Sequence, residues 1–189
     1  MKAIMISIRL KYFYLTYKGI KTIEVRKSMP KNFNGIVYEY VSKTNWKKDL
    51  LEIPENEREF FKKFVGKVGL KFKLKTVNKY EIQMALYNQH SIYKNGRYHG
   101  EIESTKNDIV DLACLSPEVV VDYIDEHFDE PLYGWVIDNL EIFDEPKELS
   151  EFKRCTEKTC IYGKCHKYMH CLKPLTKAPQ SWMFIETEE

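Results

Sequence analysis

The chain has no run approaching 18 uninterrupted apolar residues, and its opening segment Met1-Lys2-Ala3-Ile4-Met5-Ile6-Ser7-Ile8-Arg9 carries no small-residue cleavage site. The first absence excludes a membrane-spanning helix. The second makes the opening segment a first strand rather than a leader, which points to a cytoplasmic protein with reduced thiols and no membrane partner. Internal repeats and low-complexity tracts are missing too, so a repeat architecture has no support. What is present is a 189-residue chain, 43% hydrophobic, able to bury one core of ordinary size. A single domain over residues 1–189 is the expectation.

Net charge is scarce as well, at +2, but the total conceals segregation. Residues 1–80 hold 19 Lys+Arg against 7 Asp+Glu, residues 81–151 hold 4 against 17, and residues 152–189 hold 7 against 4. A basic face of this kind can meet phosphates, because neutralised phosphates release counterions and make affinity salt-dependent. Equally, the acidic middle can fold against the basic first part and cancel its field.

Apolar periodicity predicts a strand over 3–8, a helix over 11–18, a strand over 22–27 and a strand over 35–42 entered through Pro30, Asn32, Asn34 and Gly35. Residues 43–65 are basic and polar around Pro54, with a short amphipathic helix over 56–64. From Gly66 to Val77 apolar residues alternate with Lys67, Lys71, Lys73 and Lys75, the pattern of a half-buried strand with a basic outer face. Residues 88–106 are polar and read as a long loop or inserted lid, with a tight-turn signal at Asn95-Gly96. Ser116 and Pro117 open a helix as N-cap and first helical residue, and it continues to Phe128. Residues 132–143 read as one or two strands ended by Pro146, and 180–186 as the last strand. The class is therefore α+β with a mainly β core, carrying an acidic helical insertion over 81–130.

One stretch asks for chemistry more than for folding: Gly19-Ile20-Lys21-Thr22-Ile23-Glu24-Val25-Arg26. Gly19 supplies a left-handed stop to the preceding helix, and in the strand that follows Ile23 and Val25 take one face while Thr22, Glu24 and Arg26 share the other. That polar face is either solvated, a salt-bridged lattice, or the floor of a binding site.

The order of elements and three quoted motifs resemble the ASCH domains of the PUA-like superfamily. Ser7-Ile8-Arg9-Leu10-Lys11-Tyr12 is similar to the family's first-strand exit, with Leu10 where a proline is often found. Gly19 to Arg26 is similar to its hallmark, and Pro179-Gln180-Ser181-Trp182 to the closing motif of small phage-type members. The resemblance covers residues 1–43, 66–80, 132–150 and 179–186. It implies a small, curved β-barrel with flanking helices and a cleft floored by Lys21, Glu24 and Arg26. Relatives bind RNA or modified nucleobases, hydrolyse an acylated amino group on a pyrimidine nucleoside, or cleave RNA. Lys21 matches the hydrolases' lysine, but Glu24 stands where they carry threonine, and Thr22 belongs to a neighbouring position. Chemistry agrees, since a carboxylate beside an ammonium favours its charged form and suits it to holding a phosphate or carbonyl rather than abstracting a proton. Arg26 suits planar recognition of a phosphate or base edge. The ligand-binding candidates are Lys21, Thr22, Glu24 and Arg26, joined by Arg9 and Trp182, with Lys21 catalytic only if the protein is an enzyme. RNA is the favoured partner. The phage-type likeness leaves a host protein as a further one.

Cys155-x4-Cys160-x4-Cys165-His166-x3-His170-Cys171 gathers four of the five cysteines within residues 151–178. In a reducing compartment such density points to structural zinc on Cys155, Cys160, Cys165 and Cys171, with His166 or His170 as replacements; unbound reduced thiols and redox-active cysteines are the alternatives. Among aromatics, Trp135 and Trp182 fall in strands where an exposed indole stacks on a base and a buried one packs a core. Trp46, beside Lys43, Lys47 and Lys48, sits in a basic loop and fits a nucleic-acid contact or a hydrophobic cap. Cys114 lies in an apolar run and reads as inert, while His90 and His99 read as solvated.

Overall fold

Apolar alternation is strongest at the two ends of the chain, and that is where the first sheet forms. The computed structural model describes residues 2–84, 90–102, 108–124, 130–154 and 172–187. In chain order its elements are β1 (Lys2–Ile8), α1 (Leu10–Tyr17), β2 (Ile23–Arg26), β3 (Ile36–Val41), α2 (Trp46–Leu51), α3 (Arg58–Lys62), β4 (Val68–Met84), β5 (His90–Lys94), β6 (Arg97–Glu101), α4 (Asp108–Asp111), α5 (Pro117–Ile124), β7 (Leu132–Lys147), β8 (Lys153–Arg154), β9 (Lys173–Pro174) and β10 (Trp182–Glu186). They divide into two compact units, one of Met1–Tyr14, Gly35–Lys73 and Leu140–Glu189, the other of Leu15–Asn34 and Leu74–Asn139.

In the first unit β1 runs parallel to β3 and antiparallel to β10, while β3 pairs antiparallel with the start of β4. The short strands β8 and β9 continue the sheet beyond β10. Both faces of β1 are covered, which is why Ala3-Ile4-Met5-Ile6 is continuously apolar: Ala3 and Met5 pack with Tyr38, Phe143, Phe152 and Ile185, and Ile4 and Ile6 are fully buried on the opposite side. Phe13 of α1 meets Phe61 and Phe64 with ring centroids 6.4 and 5.0 Å away. These rings close over Gly69, where an added Cβ would stand 2.6 Å from Phe64 Cδ1. Gly69→Ala is therefore expected to cost about 1–3 kcal/mol through overpacking; an unchanged melting temperature would contradict that.

Four expectations for this unit need restating. Trp46 is the first residue of α2, not a loop residue. Lys67 and Lys71 are not a bare basic face, because Lys67 Nζ lies 2.8 Å from Glu148 Oε1 and Lys71 Nζ 3.4 Å from Glu141 Oε2. The strand read as ending near Val77 continues to Met84. Pro146 does not end β7, which runs to Lys147.

The second unit pairs β2 with β7, and the later part of β4 with β5 and β6. Residues 90–101 thus form a hairpin, not the long loop expected over 88–106. Asn95 and Gly96 both have positive φ, 51° and 79°, as a two-residue turn matching strand twist requires. The hairpin's Lys94 pairs with Asp108 of α4, and His99 Nε2 lies 3.6 Å from Asp108 Oδ1, so His99 is engaged rather than simply solvated. Ser116 caps α5 as expected, its Oγ accepting the Val119 N–H at 3.4 Å. Ile23, Val25, Tyr80, Ile82, Ile92, Ile109, Val120, Ile124 and Leu132 form this unit's core. The region 81–130 is consequently hairpin first and helices after, rather than helical throughout. Strands dominate and helices intervene, in keeping with the α+β class. Cys155, Cys160, Cys165, His166, His170 and Cys171 lie outside the described residues.

Candidate functional site

The end of α1 fixes where the charged side chains begin. Gly19, at φ 70°, donates its N–H to Thr16 O at 2.9 Å, and Ile20 donates to Leu15 O at 2.9 Å. Those two bonds close a Schellman turn, and Lys21 N–H adds a third to Leu15 O at 3.1 Å. The chain then enters β2, where Glu24 faces Trp135 and Arg26 faces Tyr133 across the antiparallel pair. Opposite Val25 stands Gly134, where a Cβ would come within 2.7 Å of the Tyr80 ring. On the other edge of β2 one carbonyl, Leu112 O, accepts both Thr22 N–H and Ile23 N–H at 2.8 and 3.1 Å.

The polar face of β2 is not solvated. Lys21, Glu24 and Arg26 are only 3%, 5% and 6% exposed. Lys21 Nζ donates to Glu24 Oε2 at 2.5 Å and to Ile23 O at 2.6 Å, and Arg26 Nη2 lies 2.7 Å from Glu24 Oε1. Glu24 is thus clamped between two cations. Burial pushes its carboxyl up, but the charges of Lys21 and Arg26 and their hydrogen bonds outweigh burial and hold it below the ordinary carboxylate value. An ammonium has three N–H bonds. Two of Lys21's are accounted for, leaving one for a further acceptor, with none supplied among the described residues.

Two residues absent from the sequence-based candidates border this set. Tyr123 of α5 feels the charges of both Arg26 and Glu24, accepts the Lys27 backbone N–H, and has Lys27 Nζ 5.3 Å from its ring centroid. Burial pushes its phenol above the ordinary value, against the opposing pull of Arg26. Cys114 is the other, at φ 54°, with burial raising its thiol against the field of Lys21. An unactivated thiol fits the expectation that Cys114 is inert. Tyr123 sits three residues after the core residue Val120, so in sequence it looked like part of the helix's apolar stripe.

Of the six ligand-binding candidates, the structure brings Lys21, Glu24 and Arg26 together and places Thr22 beside them with its backbone bonded to the 112 carbonyl. Arg9 and Trp182 belong to the first unit. There Arg9 forms a two-point ion pair with the fully buried Asp49, and Trp182 packs edge-on against Phe184 with centroids 5.5 Å apart. Trp135 is completely buried and so presents no face to a base.

No protein-family model matches the sequence, and no curated protein matches it. Solved structures do resemble the fold. ASCH from Zymomonas mobilis is similar with a TM-score of 0.55 at 12% identity, over 98% of this chain and 89% of that one. Two single-substitution variants of that protein give TM-scores of 0.53 at 12% identity, one over 100% of this chain and 93% of its own, the other over 98% and 89%. The chain has the ASCH fold. Among the described residues no helix is long and apolar enough to cross a membrane.

Proposed function

We propose that the second unit of this ASCH-fold chain binds nucleic acid or a nucleotide-sized ligand, RNA or a modified nucleobase, at Lys21, Glu24 and Arg26. The observation that carries the reading is the buried ammonium of Lys21 with one N–H bond still to be matched, set in a cluster of three formal charges that sum to +1. Burying two cations for one carboxylate is unfavourable for folding alone, and a ligand anion supplies the missing partner. The surroundings make the excess stand out: the second unit holds 10 basic against 13 acidic residues.

A labelled short RNA is expected to bind with affinity that falls steeply as salt rises, and to bind at least about tenfold more weakly to Lys21→Ala. Salt-independent binding, or parental affinity in both Lys21→Ala and Arg26→Ala, would remove the basis of the reading. Hydrolysis of an acylated pyrimidine nucleoside would ask Lys21 to act as a base, for which a carboxylate at 2.5 Å is the wrong neighbour. Product from acylated cytidine or cleaved RNA, lost in Lys21→Ala, would favour an enzyme instead. A stoichiometric protein retained after nuclease treatment would favour a host-protein role.

For residues 155–171 the reading is structural zinc on Cys155, Cys160, Cys165 and Cys171, with His166 or His170 as replacements, because four clustered thiolates make a closed tetrahedral site. Purified protein should carry about one zinc per chain and lose stability on chelation. A content well below one would reject it.

A further inference from the structure

We infer that Tyr123 is a ligand-contacting residue of the Lys21–Glu24–Arg26 site, and that the group it helps to read is a singly charged phosphodiester rather than a terminal phosphate or a neutral nucleoside. The inference rests on the proposed function and deepens it.

Charge comes first. Lys21, Glu24 and Arg26 sum to +1, and Glu24 is held ionised by the two cations on either side, so the set does not become more positive near neutral pH. The second unit as a whole has more acidic than basic residues. A monoanion neutralises such a set, whereas a phosphate monoester, close to doubly charged near pH 7, leaves it negative within an already acidic unit. An internal linkage of a nucleic acid strand carries the matching single charge.

Geometry supplies the donor. Tyr123 comes from α5, a different element from β2, and its ring is seated at the exit of β2 against Lys27 Nζ at 5.3 Å. Its neighbours Val120 and Ile124 are anchored in the core of the unit, so the ring is positioned by packing rather than by a loop. The hydroxyl oxygen accepts the Lys27 N–H, which leaves the phenolic proton to be donated, and burial keeps that proton on the oxygen. A neutral donor adds a hydrogen bond to a phosphodiester oxygen without adding charge. A third cation there would have suited a dianion.

The test uses the full chain and three probes by calorimetry: the dinucleoside monophosphate CpA with one phosphodiester, CMP with a terminal phosphate, and cytidine with neither. A ten-nucleotide RNA in parallel separates a strand from a free nucleotide. The parent should bind CpA more tightly than CMP, and the RNA more tightly than CpA. Tyr123→Phe, which keeps the ring, should weaken CpA by about tenfold, as expected for one hydrogen bond to a charged group, and leave cytidine unchanged. Equal loss for CpA and cytidine would mean a structural role and overturn the inference, as would parental CpA affinity in a folded Tyr123→Phe. Faster association in Tyr123→Ala without weaker binding would make the residue a cover, also overturning it. If the folded parent binds none of the probes, the proposed function itself fails; if it binds CMP more tightly than CpA, that function stands and only the phosphodiester assignment falls.

Discussion

Replacing Glu24 by leucine is expected to destabilise the protein by about 3–5 kcal/mol, the usual consequence of removing one partner from a buried ion pair. The reason is asymmetry within the set. Without Glu24, Lys21 and Arg26 face each other as buried like charges, each deprived of a carboxylate oxygen at 2.5 or 2.7 Å. Lys21→Met should cost less, because Arg26 still balances Glu24. In a chain of this size the Glu24 loss corresponds to a melting temperature lower by about 6–20 °C. The pH dependence has a definite sign. Glu24's carboxyl is depressed in the folded state, so its contribution is fully present above the ordinary carboxylate value and is lost as pH falls through its own, lower value. Glu24→Gln should therefore flatten the acid limb of a stability–pH curve and leave its shape near neutrality unchanged. Parental melting in Glu24→Leu, or an unchanged acid limb in Glu24→Gln, would show that the cations do not depend on this carboxylate.

Trp135→Ala is the second large effect, about 3–5 kcal/mol of stability, because the indole is the largest of the fully buried side chains and its removal leaves a cavity that the strand pair fills only partly. Trp135 lies directly across the strand pair from Glu24, so it also belongs to the low-polarity wall that strengthens the ion pairs. Trp135→Phe keeps most of that wall. It should lose much less stability and retain RNA binding, whereas a base-stacking role would make binding fall in both variants alike. Chemical denaturation with a parallel RNA titration separates the two outcomes.

Much of this arrangement was legible from residue order. Gly19 announced the helix stop and the alternation in Thr22-Ile23-Glu24-Val25-Arg26 announced the strand, and both are found where expected. What alternation does not reveal is whether a polar face meets water. A row of Lys, Glu and Arg reads the same on a solvated strand as on one whose charges neutralise one another under a helix. The cover comes from residues 108–124, some 85 or more positions later in the chain, and the contact of the 112 carbonyl with β2 has no local sequence signal. The hairpin of β5 and β6 was missed for a different reason. Its polar residues suggested a loop, yet Asn95-Gly96 was already the strongest short-range hairpin signal available. Composition was allowed to outweigh turn chemistry. The lysines of β4 were likewise read without their partners, because Glu141 and Glu148 reach Lys71 and Lys67 only through tertiary pairing.

The account turns on Lys21 being the group that meets the ligand. A crystal structure of the protein soaked with CpA tests this most directly. A phosphodiester oxygen is expected within about 2.7–2.9 Å of Lys21 Nζ, the distance of a charge-assisted hydrogen bond, with Glu24 still bound to both cations. A dinucleotide ordered instead along Lys73 and Lys75 or elsewhere on the surface, with Lys21 still bonded only to Ile23 O and Glu24, would contradict it.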